Sequence, residues 1–224
     1  MMTKNIVVLG CPRSGTSIVA NLIRPAGYDI DHGQTKQLMR PNAEYNPDGY
    51  FERIDIVKTN DSLIKEINLE YNFLNCPSLK EIQNHTKSEN ISLKELTIEL
   101  SSYNGWIIKD SRLAFTLHMY SNIQNIHIVK VIRDPREVKL SMMNHYGNLF
   151  EEDVTHGPHY VKKINFDNYY QTINDCIDWQ KNKYPNLQIS YQDIILGNVE
   201  KLNKFIESNT DAGIINDKYY RQKV

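Results

Sequence analysis

Arg13-Ser14-Gly15-Thr16-Ser17 is a knot of hydroxyls and one cation set between two apolar runs, and residues of these types in this order hold an anion. The β-formers Ile6, Val7, Val8 and Leu9 lead into a turn at Gly10-Cys11-Pro12. Behind the knot a helical apolar spacing begins at once with Ile18, Val19, Leu22 and Ile23. Strand, tight loop and helix aim a row of backbone N–H groups at one point, with the positive end of the helix dipole behind them. Gly10 to Ser17 meets the phosphate-loop pattern G-x-x-x-x-G-K-[ST] at every fixed position but one, where Thr16 stands for the lysine. That lysine reaches the β- and γ-phosphates, so its replacement argues against ATP or GTP hydrolysis. The loop N–H groups and the Thr16 and Ser17 hydroxyls still suit one phosphate. The cation lies instead at Arg13, ahead of the second glycine, where it would point past that phosphate at whatever is attached to it. A phosphate carrying a transferable anionic group describes an activated sulfate.

His127 to Ser141, HIVKVIRDPREVKLS, repeats the device of strand, turn and helix. Ser141 follows Arg133 by eight residues, about two helical turns, within reach of an anion held by that arginine. A guanidinium with two parallel donors plus a hydroxyl is a sound pair for a phosphate dianion. Two other readings of Arg133-Asp134 stay open, a surface ion pair and a magnesium-binding carboxylate as in a nucleotidase. The missing phosphate-loop lysine weighs against the second.

Pro12 to Ser17 resembles the 5′-phosphosulfate loop of the sulfotransferases that use PAPS (3′-phosphoadenosine 5′-phosphosulfate). Cytosolic members usually carry Lys where this chain has Arg13; tyrosylprotein and many bacterial members carry Arg. The family's 3′-phosphate site has the same Arg-(seven residues)-Ser spacing, usually with a proline where Pro135 stands. Trp106 to Leu117, WIIKDSRLAFTL, resembles the W-x-x-K-D-P-R-L block of bacterial and tyrosylprotein members, with Ser111 in place of the proline. Tyr191-Gln192-Asp193-Ile194 is similar to a Tyr-Glu-Asp-Leu segment, and Asn46 to Glu52 to an N-P-x-G-Y-F-E segment of the bacterial branch. The glycine-rich C-terminal segment of cytosolic members, with its Trp-Lys ending, has no counterpart in Lys218 to Val224.

The resemblance implies PAPS as sulfate donor and no metal. Arg13, Ser14, Gly15, Thr16 and Ser17 would surround the 5′-phosphosulfate, Arg133 and Ser141 the 3′-phosphate, and Tyr191 another part of the nucleotide. Arg13 would neutralise the leaving oxygen, Lys109 would touch the sulfuryl group, and Glu52 would be the general base. His118 and the His156/His159 pair are the alternatives for the base, since the cytosolic branch uses a histidine, and a carboxylate at a helix N-terminus is the plain reading of Glu52. The expected acceptor is a hydroxyl on a sugar or small metabolite, in preference to a protein. A kinase-like phosphotransferase on the same fold predicts a cation after Gly15 and meets Thr16. A non-catalytic nucleotide-binding protein predicts damage at Arg13, Lys109 or Ser141, and all three are present.

The positioning elements follow from periodicity. The first helix should stop at Pro25-Ala26-Gly27, and Gly27 to Ile30 reads as a short strand. Helical spacing runs through Ile54, Val57, Leu63, Ile64 and Ile67, and Ser92-Leu93-Lys94-Glu95 has capping-box spacing ahead of Leu96 and Leu100. Trp106 to Lys109 is a buried strand, Leu113 to Tyr120 a helix, His127 to Ile132 a strand, and Arg136 to Asn144 a helix. Asp167 to Lys183, Leu187 to Tyr191 and Val199 to Ile206 read as helix, strand and helix. His32 to Gly49, Asn75 to Asn90 and Gly147 to Asn165 read as loop or irregular chain. The alternation predicts a three-layer α/β fold of the P-loop NTPase type, with a mainly parallel sheet of about five strands flanked by helices. Ligands sit beyond the carboxyl ends of such strands, where Arg13, Lys109, Arg133 and Tyr191 all fall.

Residues 1–224 are expected to form a single domain. Twenty-six basic and 27 acidic residues cancel, so no global field points to nucleic acid or an anionic membrane. No apolar run approaches the roughly 20 residues of a membrane span. The cysteines, Cys11, Cys76 and Cys176, have no metal-ligand spacing and suit a reducing cytoplasm better than a disulfide framework. Oligomeric state leaves no mark in the sequence.

Overall fold

Alternating side chains make the central strands apolar on both faces, the pattern of a parallel sheet buried between helices. In β1 (Asn5–Leu9), Ile6 and Val8 join one core cluster while Val7 and Leu9 join the other. The computed structural model describes residues 4–40, 49–72, 75–85, 87–146, 154–156, 159–161, 165–210 and 215. From β1 the chain passes through the glycine loop into α1 (Thr16–Ile23). A tight turn at Arg24–Ala26 and Gly27 in the left-handed region end this helix at the predicted stop. Then come α2 (Ile54–Ile67), α3 (Leu79–Asn84), α4 (Ile91–Ser101), β2 (Ile107–Lys109), α5 (Leu113–Thr116) with a further turn at Leu117–Tyr120, β3 (Ile126–Ile132) and α6 (Pro135–Tyr146). An antiparallel pair, β4 (Val154–His156) and β5 (His159–Val161), precedes α7 (Phe166–Lys181), β6 (Asn186–Ser190), α8 (Tyr191–Ile195) and α9 (Glu200–Ile206).

The strand order is β2-β1-β3-β6, all parallel, with Val7 opposite both Ile108 and Ile128. Helices α1, α8 and α9 cover one face; α2, α4, α5 and α7 cover the other. Strand order reverses beside β1, so the crevice at the carboxyl ends of β1 and β3 is the switch point where α/β sheets bind ligands.

Four expectations need correction. Among the described residues the sheet has four strands, not about five. Gly27 to Ile30 contributes one bridge, Asp29 to Trp106, because Gly27 and His32 both take positive φ and fold the chain away on either side. Helix α4 starts at Ile91 with Asn90 as its cap, accepting from the Leu93 N–H at 3.2 Å, so Ser92 lies inside the helix. The reciprocal capping box belongs to Ser78 and Glu81, within the stretch read as irregular, where it opens α3. The span read as loop before Asn165 holds the antiparallel pair β4–β5, whose register sets His156 opposite His159. Residues 41–48, with most of the Asn46 to Glu52 motif, and Lys218 to Val224 lie outside the described residues. Among the described residues no helix is long and apolar enough to cross a membrane.

Candidate active site

The loop after β1 is shaped by close backbone approach. A Cβ at Gly10 would stand 2.4 Å from Ser14 Oγ and 2.8 Å from the Val131 carbonyl oxygen. At Gly15, with φ +96°, a Cβ would stand 2.5 Å from the Tyr191 ring. Ser14 donates its backbone N–H to the Cys11 carbonyl at 3.0 Å, which closes the turn. Among the described residues no side chain caps α1, and its first turn has no acidic residue, so the helix terminus faces the loop with no carboxylate of its own. Ser14 Oγ is buried with no hydrogen-bond partner among the described residues. Buried hydroxyls are ordinarily paired. An unpaired one in a glycine cradle at a helix N-terminus fits an anion such as the 5′-phosphate of PAPS.

Arg13 takes φ +71°, which swings its side chain across to α6, where Nε donates to Ser141 Oγ at 3.1 Å. Burial lowers the pKa of its guanidinium, against the opposing pull of Tyr146 and Tyr50. At the end of β3, Arg133 donates to the Arg13 carbonyl oxygen at 3.0 Å and to Glu137 Oε2 at 2.9 Å. Its guanidinium lies 4.1 Å from the centre of the Tyr191 ring. The Tyr191 ring is therefore held between the Gly15 backbone and the Arg133 fork, and Tyr170 fixes the Arg133 carbonyl at 3.0 Å. Arg13, Gly15, Arg133, Ser141 and Tyr191 thus come together, with Ser14, Thr16 and Ser17 in the same loop.

Lys109, at the end of β2, is paired with Glu52, and the two are 7 % and 8 % exposed. Phe51 makes this possible. Its backbone is left-handed at φ 54° and its side chain is buried in the α1 face of the core, so the next residue turns the other way. Arg112 stands 3.9 Å from the second Glu52 oxygen and is itself held by Asp61 at 2.6 Å and Asp110 at 3.0 Å. Asp110 is anchored in turn by Asn60 Nδ2 at 2.8 Å. Thr116 and Tyr120 hydroxyls satisfy the Asn60 oxygen. Sequence reasoning gave no role to Arg112, Asp110, Asn60 or Asp61; the polar run Lys109 to Arg112 closing a buried strand was the available signal. Tyr146 connects the two halves, since Arg13, Tyr50, Glu52 and Arg112 all act on it electrostatically. Burial, chiefly, pushes its hydroxyl up to about 12.

His118 is buried with both ring nitrogens engaged, by Gln180 Nε2 at 3.1 Å and by the His85 carbonyl at 2.8 Å. This fixes it between α3 and α7, as a packing residue. His156 and His159 are cross-strand partners in the β4–β5 pair. Among the described residues Cys11, Cys76 and Cys176 form no disulfide, and no group of metal-ligating side chains occurs.

Residues 3–221 match the family model of the sulfotransferase domain. No curated protein matches the sequence. Among solved structures, similar folds are a sulfotransferase from Mycobacterium tuberculosis (14% identity, TM-score 0.43, covering 93% of this chain and 68% of that one) and the sulfotransferase domain of the curacin biosynthetic pathway (11%, 0.46, 95% and 77%). A gluconokinase from Sinorhizobium meliloti 1021 is similar at 13% identity and TM-score 0.41, covering 100% and 99%.

Proposed function

The chain belongs to the sulfotransferase family, and on that premise we propose that it is a single-domain enzyme using PAPS to sulfate a hydroxyl on a sugar or small metabolite. The observation that carries this reading is the fusion of two anion-binding loops, through the Arg133 bond to the Arg13 carbonyl and the Arg13 bond to Ser141. One loop suits a 5′-phosphosulfate and the other a 3′-phosphate, a pair of anions that PAPS has and ATP lacks.

When bound, PAPS supplies a sulfuryl group whose bond to the bridging oxygen breaks as one to the acceptor oxygen forms, leaving adenosine 3′,5′-bisphosphate. The chain's part is positioning and charge. Ser14, Gly15, Thr16 and Ser17 hold the 5′-phosphate, and Arg13 stabilises negative charge on the leaving oxygen. Arg133 and Ser141 hold the 3′-phosphate, with Tyr191 beneath the guanidinium. Lys109 turns from Glu52 toward the sulfuryl oxygens, which releases the Glu52 carboxylate to accept the acceptor's proton. These cations do the work that a metal does in kinases, and cysteines outside any disulfide suit a reducing cytoplasm.

Thermal shift provides the first test, because a ligand that binds only the folded state raises stability by RT ln(1 + [L]/Kd). PAPS and its bisphosphate product should raise the melting temperature, and ATP with magnesium should not. The reverse order would sink the PAPS reading and favour the phosphotransferase. Labelled PAPS offered with a panel of sugars and small alcohols then identifies the acceptor.

A further inference from the structure

The two anion-binding devices differ in one respect. Helix α1 has no acidic residue in its first turn, whereas α6 has Glu137 there. That carboxylate lies at a helix N-terminus and 2.9 Å from the Arg133 Nε, the surroundings in which an anion is favoured. Arg133 is only 12% exposed in its side chain and Glu137 is 39% exposed, so the arginine is fixed while the carboxylate is free to swing toward solvent. We propose that Glu137 is a positioning residue that acts through Arg133, holding the guanidinium in place while the site is empty and giving it up to the nucleotide's 3′-phosphate.

This rests on the reading of Arg133 as the 3′-phosphate ligand. Each binding event is then an exchange of one anion for another at the same fork, and each product release is assisted by the returning carboxylate. Hold on the 3′-phosphate is therefore weaker than the arginine alone would give. The bonds of Arg133 to the Arg13 carbonyl and to the Tyr191 ring do not involve Nε, so they keep its direction during the exchange. An internal competitor of this kind selects against weak anions, because only a ligand with enough charge displaces it.

The test is equilibrium binding of adenosine 3′,5′-bisphosphate and adenosine 5′-monophosphate to the wild type, Glu137→Gln and Glu137→Ala. Glutamine is isosteric, and the half-exposed site tolerates alanine. Both variants should bind the bisphosphate roughly fivefold more tightly, the effect of removing a partly exposed competing charge, with the monophosphate unchanged. Steady-state turnover should fall where product release limits the rate. Equal tightening of both nucleotides would reduce Glu137 to a general charge effect and overturn the proposal. Unchanged or weaker bisphosphate binding in both variants would overturn it as well, leaving a purely structural tether. A wild type that binds the two nucleotides equally would instead remove the 3′-phosphate reading of Arg133, and the proposal with it.

Discussion

Arg133 donates a hydrogen bond to the backbone carbonyl of Arg13 at 3.0 Å, although 120 residues separate them. The bond ties the end of β3 to the loop after β1. It also fixes the residue whose own side chain crosses back to Ser141 on the helix that follows Arg133. Two locally specified strand–turn–helix units are thereby joined by two hydrogen bonds. Arg13 sits in the left-handed region, where a non-glycine residue persists only when its surroundings hold it. Arg133 and Ser141 are those surroundings.

Arg133→Ala should therefore do more than weaken the hold on a 3′-phosphate. Loss of a hydrogen bond from a charged group costs about 2 kcal/mol, so the dissociation constant for adenosine 3′,5′-bisphosphate should rise roughly thirtyfold. Turnover at saturating PAPS should also fall, by roughly tenfold, because Arg13 loses its alignment. Arg133→Lys keeps the charge without the fork and should recover affinity better than turnover. Equal recovery of both would show that the Arg13 carbonyl bond is incidental.

Gly15→Ala meets two separate obstacles, a backbone at φ +96° and the Tyr191 ring 2.5 Å from the new Cβ. Together they should cost about 2 kcal/mol, a drop of roughly 4–8 °C in melting temperature for a chain of this size. Tyr191→Ala has its own cost, since its ring is buried, but it also relieves the contact and leaves only the backbone strain, so the double variant should lose less than the two single variants added together. If the double variant is no more stable than the sum of its parts, the ring contact is not what the glycine serves.

The parts legible in sequence were those that local chemistry writes down: a phosphate loop spelled by Gly10 and Gly15, strand ends at Lys109 and Arg133, and a helix stop at Pro25 and Gly27. What escaped depends on partners distant in the chain. Ser78 and Ser92 both begin an S-x-x-E run, and only the surrounding packing decides that Ser78 caps a helix while Asn90 takes the place of Ser92. The β4–β5 pair is invisible to periodicity because its strands are three residues long. Arg112 reads as a surface cation until Asp61, Asp110 and Glu52 are seen around it. The missing fifth strand has the same cause, since one bridge at Asp29 satisfies the sheet edge before the chain turns off.

His118 gives a pH signature that separates it from the chemistry. Burial, above all, lowers its pKa from the ordinary 6.5, with Lys183 and His85 adding to the effect and the His85 carbonyl bond opposing it. The folded state thus favours the neutral ring. This contribution to stability is fully present above pH 6.5 and is lost as the pH falls through the lower folded-state value. Denaturant midpoints measured downward from neutral pH should fall in the wild type and fall less steeply in His118→Gln. Turnover of the folded variant at pH 7.5 should stay within about threefold of wild type, since a base would contribute 10²-fold or more. A collapse of turnover in a folded His118→Gln would return the histidine to candidacy.

Lys109 and Glu52 allow stability and chemistry to be measured in one cycle. Removing one member of a buried pair strands the other charge and costs about 3 kcal/mol or more, whereas removing both is far milder. The two single variants should differ, because Arg112 stands 3.9 Å from Glu52 and partly compensates it when Lys109 is gone. Lys109 has no second acidic partner among the described residues. Glu52→Ala should thus lower the denaturant midpoint more than Lys109→Ala, and the double variant should be more stable than their added losses allow. Turnover should follow a different order. With Glu52 as the proposed base, Glu52→Ala should reduce it by roughly 10²-fold or more, and restoring stability in the double variant should restore none of it. A double variant that regained activity along with stability would mean that the pair supports the fold of the cleft and takes no part in the transfer.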